Sequence, residues 1–209
     1  MQTVTTPDYW PQATRELAER DAVLRELIAR FQGLALGSRG DAFSTLARSI
    51  VGQQISVKAA QSVWNRLSDR LATVTPESLS RCRKPSLRAC GLSRQKAGYL
   101  KDLAGKFRDG TLEPARWPAL DDEILIEELT RVKGIGRWTA EMYLMFHLAR
   151  PDVLPLADLG LQRAMRLNYN RGRPLTVTRM QKIGAAWAPW RSVATWYLWR
   201  SLDPIPVEY

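Results

Sequence analysis

Histidine and cysteine are nearly absent from this sequence, with one His and two Cys in 209 residues. A lone His147 cannot build a multi-histidine metal site. Cys82 and Cys90 are too few for a disulfide framework or a four-thiolate zinc site, and both are read as free thiols. No Ser/His or Cys/His nucleophile system and no phosphate-cradling Walker loop is present. No apolar run approaches the roughly 20 residues that span a bilayer. The polar stretch Met1–Pro11 lacks the apolar segment of a secretory signal, so the protein is expected to be cytoplasmic and off the membrane. No segment of useful length alternates with the two-residue period of a strand, and no internal repeat is visible.

Positive charge is what the chain has in excess. Lys and Arg total 31 against 21 Asp and Glu, a formal net charge of +10. That surplus suits a polyanionic partner, although a basic surface can also be inert. Hydrophobic residues at 45% and charged residues at 25% fit an ordinary globular chain. The length suffices for one large domain or two small lobes with a core.

Helical periodicity runs through nearly all of it. Leu17, Leu24, Leu27 and Ile28 place one amphipathic helix over Pro11–Phe31. Asp41 is a good N-cap for Ala42–Val51, Ser56–Leu71 is another helix, and Thr75-Pro76 opens a short one. Ser93–Arg108 is rich in Lys and Arg. Further helices are predicted at Asp121–Arg131, Gly136–Arg150, Asp158 to about Leu167, Thr176–Ala186 and Trp190–Leu202. Gly and Pro breaks separate them at Gly33–Gly40, Pro151–Pro155 and Asn170–Pro174. The expectation is an all-α fold of two helical lobes with an interlobe active-site cleft. Residues 41–150 would form one lobe, and residues 1–40 together with 151–209 the other. Trp187 and Trp190 are expected to pack lobe to lobe.

Two glycines one residue apart, in Val132-Lys133-Gly134-Ile135-Gly136-Arg137-Trp138-Thr139-Ala140, join two of these helices. A turn this tight needs positive φ or close backbone approach, and Gly supplies both. The Gly134 and Gly136 amides then stand at a helix start, a ready anion site, with Arg131, Lys133 and Arg137 around it. In a basic protein that anion is a nucleic-acid phosphate, held without regard to sequence. The glycine pair alone reads as an ordinary helix corner, and the flanking charge and two-helix context are what point to the anion site.

Asp158 lies in Leu154-Pro155-Leu156-Ala157-Asp158-Leu159-Gly160. Locally it reads as a helix N-cap. The functional reading is a carboxylate held among apolar Leu156, Ala157 and Leu159 that faces a developing positive charge.

The hairpin, a helix, Pro-rich sequence and then Asp resemble the helix-hairpin-helix glycosylase superfamily. Four separated motifs in order, spanning roughly Asp41 to Leu202, are similar to its AlkA (3-methyladenine DNA glycosylase II) type: Val51-Gly52-Gln53-Gln54-Ile55-Ser56, Gly136-Arg137-Trp138-Thr139-Ala140, Asp158, and Pro189-Trp190-Arg191-Ser192. The hairpin occupies 131–139 in this resemblance. It implies excision of 3-methyl and 7-methyl purines from double-stranded DNA by hydrolysis of the N-glycosidic bond, in base excision repair. Asp158 is then the catalytic carboxylate. Trp138, Met142 and Trp199 belong to the substrate pocket, although the AlkA pattern favours an aromatic at Met142. Trp138 is otherwise a core filler. Gln53, Gln54, Lys133, Gly134, Gly136, Arg137 and Thr139 contact DNA, with Gln54 at the position of the wedge that fills the gap left by a flipped nucleotide. Lys58, Arg94, Lys96 and Lys101 can reach phosphate or stay solvated.

Bifunctional relatives carry a Schiff-base lysine where Trp138 stands, so an N-glycosylase without lyase activity is expected. No cofactor is implied for catalysis. A monovalent cation held by the backbone carbonyls of Thr130, Val132 and Gly134 is implied for DNA binding only. The chain lacks room for the extra β-rich domain of longer AlkA forms and has no C-terminal four-cysteine cluster. It is expected to be a monomer. The rival readings are a non-enzymatic hairpin module that binds DNA, and a glycosylase/lyase of other lesion specificity.

Overall fold

The structure is a computed structural model that describes residues 6–37 and 40–202. The polar Met1–Pro11 stretch and the Gly33–Gly40 break fall partly outside the described residues. Among these the chain is helix and turn, with no strand. In order the helices are α1 (Trp10–Arg20), α2 (Ala22–Arg30), α3 (Ala42–Gly52), α4 (Val57–Leu71), α5 (Pro76–Arg81), α6 (Lys84–Ala89) and α7 (Arg94–Arg108). A 3-10 segment, Pro114–Ala119, follows. Then come α8 (Asp122–Thr130), α9 (Arg137–Phe146), α10 (Leu159–Asn170), α11 (Val177–Ala185) and α12 (Arg191–Leu202).

Most starts are written locally. Asp41, Ser56, Ser93 and Thr176 each accept a backbone N–H of the first turn, at Ser44, Ala59, Lys96 and Arg179, satisfying a donor that the helix itself cannot. Thr75 and Ser78 form a reciprocal capping box at α5. Two predicted helices are corrected. The single helix over Pro11–Phe31 is broken at Asp21, whose φ of −137° and ψ of 115° are extended. Its carboxylate accepts the Val23 and Leu24 amides and so starts α2 afresh. The helix predicted to reach Arg150 ends at Phe146; the backbone reverses at Ala149, φ 51°, and Arg150 N–H donates to the Leu144 carbonyl. Helix α6 and the 3-10 segment have no counterpart in the sequence reading.

The chain divides into two compact units, 40–143 and 1–39 with 144–209; the division falls within α9. The core of the first unit includes Leu46, Ile50, Leu67, Leu79, Leu100, Leu103, Leu125 and Leu129, all shielded from solvent. Phe43, Phe107, Trp117 and Tyr143 run edge to face through it, with centroids 5.0, 6.0 and 5.5 Å apart. Ile124, in α8, is 51% exposed, while its neighbours Leu125 and Ile126 are buried.

In the other unit Leu17, Leu24, Met165, Trp187, Trp196, Tyr197 and Leu198 form the core. Trp187 and Trp190, expected to pack lobe to lobe, instead tie α1 and α2 into this unit. The Trp187 indole donates to Asp21 Oδ2 at 3.1 Å and the Trp190 indole to Glu16 Oε2 at 2.9 Å. Tyr169 also donates its hydroxyl to Asp21 Oδ2, at 2.8 Å. Asp21 thus caps a helix and receives two aromatic donors. Asp21→Ala removes the cap, worth about 1 kcal/mol, and strands donors at roughly 1 kcal/mol or more each. Thermal unfolding is expected to show a Tm lower by about 6–12 °C, the equivalent of roughly 3 kcal/mol at this size. Asp21→Asn, which keeps an acceptor oxygen, should lose much less.

Candidate active site

Within the unit 40–143, the hairpin between α8 and α9 is built on α7. The Lys133 amide donates to Asp102 Oδ2 at 2.9 Å, and the Ile135 amide to the Val132 carbonyl at 3.0 Å. Among the described residues neither the Gly134 nor the Gly136 amide has a protein acceptor. Burial works against the Asp102 anion, but the Lys133 amide and the Lys106 ammonium outweigh it and hold the carboxyl below its ordinary range. The two glycines, expected to serve alike, differ. Gly134 has φ +85°, and a Cβ there would overlap the Tyr99 ring. Gly136 has no positive φ, and a Cβ would meet nothing. Val132 and Ile135 are buried, and Lys133 is exposed.

Arg137, expected to contact DNA, engages carboxylates of its own unit. Its guanidinium donates twice to Glu123, at 2.8 and 2.5 Å, and once to Glu141 at 3.0 Å. The Glu123 bond pushes the guanidinium's pKa up, and the same bond holds Glu123 below the usual carboxylate range. Thr139 is buried. Trp138 is 38% exposed, which excludes core filling, whereas Met142, one turn further along α9, is buried.

The Gly52-Gln53-Gln54-Ile55 turn lies against the hairpin. Gln53 Nε2 donates to the Gly134 carbonyl at 2.7 Å. Gln54 is exposed and takes φ 59°, a left-handed conformation uncommon outside Gly. Lys96, considered above as a phosphate contact, donates its ammonium to the Val51 carbonyl at 2.8 Å and the Gln53 carbonyl at 2.6 Å.

In the other unit, Asp158 performs the local task read from the sequence: it caps α10, its Oδ1 accepting the Leu161 amide at 2.6 Å. The same oxygen accepts the Trp199 indole N–H at 2.8 Å. Trp199 in turn stacks on Phe146, with centroids 5.8 Å apart and planes 10° from parallel. The structure brings together Asp158 and Trp199, 41 positions apart, and Phe146 completes the set. The apolar setting is corrected. Leu159, the first residue of the helix, is 78% exposed, and Ala157, in the turn before the cap, is exposed as well. Gly160 supplies the close neighbour: a Cβ there would sit 3.0 Å from Asp158 Oδ1 and 3.3 Å from Trp199 Nε1. A glycine in the first turn of a helix, two residues after the acid, is the signal that the sequence reading passed over.

Two helical units, a glycine hairpin with two amides that have no protein acceptor among the described residues, and an indole-held aspartate define the class as an all-α DNA-binding glycosylase fold. The model of the HhH-GPD superfamily base excision DNA repair proteins matches residues 47–189. The DNA-3-methyladenine glycosylase 1 of Schizosaccharomyces pombe is 34% identical over 183 residues, covering 85% of this chain and 80% of that protein. A crystal structure of a DNA-3-methyladenine glycosidase from Bacillus halodurans aligns with TM-score 0.85 at 33% identity, over 96% of this chain and 92% of that one. The S. pombe 3-methyladenine DNA glycosylase Mag1 in complex with abasic DNA aligns with TM-score 0.76 at 31% identity, over 94% and 100%. This chain belongs to the HhH-GPD superfamily of base excision DNA repair proteins and, within it, to the AlkA-type 3-methyladenine DNA glycosylases.

Proposed function

We propose that this DNA glycosylase is monofunctional, acting as a monomer on duplex DNA to release 3-methyl and 7-methyl purines by hydrolysis and leave the abasic strand uncut. The carrying observation is the Asp158 carboxylate, fixed by two donors on one oxygen. A carboxylate so oriented opposes the positive charge that grows on the deoxyribose as the base departs, an interaction stronger in the transition state than before it. An alkylated purine already carries positive charge, so leaving-group protonation is not the main demand. Extruding the base costs a few kcal/mol, less for a damaged pair. The Gly134 and Gly136 amides at the start of α9 take a phosphate, which positions the strand without reading it. Gln54 enters the vacated stack. Trp138 offers no amine for a Schiff base, which supports hydrolysis without strand cleavage.

A monovalent cation at the hairpin belongs to the same proposal. The carbonyls of Thr130, Val132 and Gly134 are the neutral oxygens that a hard cation takes. The hydrogen bonds on Val132 and Gly134 use one of the two lone pairs of each. Such an ion would place positive charge beside the phosphate.

The test is base release from oligonucleotides carrying single alkyl lesions, read with and without alkaline cleavage. Free 7-methylguanine with an intact strand is expected. Nicking without added base would defeat the monofunctional reading, and no release from any alkylated purine would defeat the substrate reading. Gly160→Ala bears on the mechanism, because its methyl must push the Asp158–Trp199 pair by a few tenths of an ångström. Single-turnover excision is expected to fall about three- to tenfold, given that misplacement by 1 Å costs about a hundredfold; duplex affinity should be unchanged.

A further inference from the structure

Two segments of the unit 40–143 are held in one arrangement by a single face of α7. Lys96, Tyr99 and Asp102 recur at helical spacing. Lys96 grips the turn after α3 through the Val51 and Gln53 carbonyls. Tyr99 is the surface against which Gly134 lies. Asp102 holds the Lys133 amide. Gln53 then closes the arrangement directly, its amide on the Gly134 carbonyl. We propose that Lys96 and Gln53 are positioning residues that lock the Gln54 turn to the hairpin, so that the phosphate grip and the side chain entering the duplex keep a fixed spacing.

The proposal rests on the reading of Gln54 as the residue that enters the stack. Three features favour it. The Lys96 ammonium spends two of its three donors on backbone carbonyls of the loop end, so it is a strut and not a phosphate contact. Burial pushes its pKa below the ordinary lysine value, as for an ammonium facing protein. Gln54 keeps a left-handed backbone that a residue with a Cβ adopts only when its surroundings enforce it; the bonds to Gln53 on its N-terminal side supply that enforcement. A turn of this kind, released from Lys96, relaxes and carries Gln54 away from its line of entry, while the hairpin keeps its grip through Asp102 and Tyr99. Flipping should therefore be lost and binding retained.

The experiment uses the whole protein and a duplex with 2-aminopurine beside a single 7-methylguanine, and follows fluorescence and single-turnover excision together. Lys96→Met and Gln53→Ala are each expected to cut the fluorescence rise several-fold and excision about tenfold or more. Affinity of Lys96→Met for undamaged duplex should stay within about twofold, where a lost phosphate contact would weaken it and flatten its salt dependence. Lys96→Arg, which keeps donors at similar reach, should recover most of the flipping. Gln54→Ala separates the two ideas. If Gln54→Ala leaves flipping intact, the entering role of Gln54 is wrong, and the strut with it. If Gln54→Ala impairs flipping while Lys96→Met does not, the strut alone is wrong. Equal loss of duplex binding and excision in Lys96→Met, unrescued by Arg, also overturns it.

Discussion

Asp158→Asn is expected to lower single-turnover excision of 7-methylguanine by about a hundred- to a thousandfold, the usual scale for removing one preorganised electrostatic group. Affinity for the same duplex should change less than about threefold. The substitution is nearly isosteric, and its carbonyl oxygen can still accept the Leu161 amide and the Trp199 indole that hold Asp158 now. The cap and the stacked indole therefore survive, and only the full negative charge is lost. The effect belongs in the chemical step, with the enzyme–DNA complex forming as before. Measured beside it, a bare hairpin module would show no difference, since it releases no base in either form. Excision by Asp158→Asn at the wild-type rate would remove this carboxylate from the mechanism.

Gly134→Ala carries the second large effect. The position combines φ +85° with a Cβ vector running into the Tyr99 ring. Left-handed backbone alone costs an L-residue about 1–2 kcal/mol, and the overlap forces either the ring or the turn to move. Since the Lys133 amide is anchored on α7 one residue earlier, the turn is expected to distort, carrying the neighbouring amides off their aim. Duplex affinity should fall about tenfold or more, roughly 1.4 kcal/mol per decade, with excision falling in parallel at limiting enzyme. Gly136→Ala is the contrast: with open space around it and no positive φ, its stability should stay within about 1 kcal/mol of the parent. Filter binding on the two variants, with circular dichroism to confirm folding, separates them. Equal losses at both positions would show that the methyl itself, and not strain, is what the DNA rejects.

What could be read in advance follows from how local each signal is. Asp41, Ser56, Ser93 and Thr176 announce their helices because a cap and the amide that donates to it lie three residues apart. The hairpin was legible for the same reason. Asp21 was not, because apolar periodicity continues through it; the break is set partly by Tyr169 and Trp187, 148 and 166 positions away. Asp158 shows both sides. Its capping role was visible locally, and its indole partner lies across 41 positions. Which of the two hairpin glycines bears the strain depends on Tyr99, and what sets Lys96 apart from the other cations of α7 is a pair of carbonyls 45 and 43 residues earlier. Sequence pattern reports what a helix does to itself; it is silent on which distant donor meets which acceptor.

One unit is assembled from both ends of the chain, 1–39 and 144–209. On a ribosome adding about 5–20 residues per second, the hundred or so residues between them take roughly 5–20 seconds to appear. Throughout that interval, and until Trp196 and Leu198 follow, Leu17 and Leu24 have neither to cover them, whereas the continuous unit has its whole sequence as soon as the interval ends. The nascent amino-terminal pair of helices is thus an apolar surface in waiting, the stretch of this chain that a chaperone would have most reason to shelter.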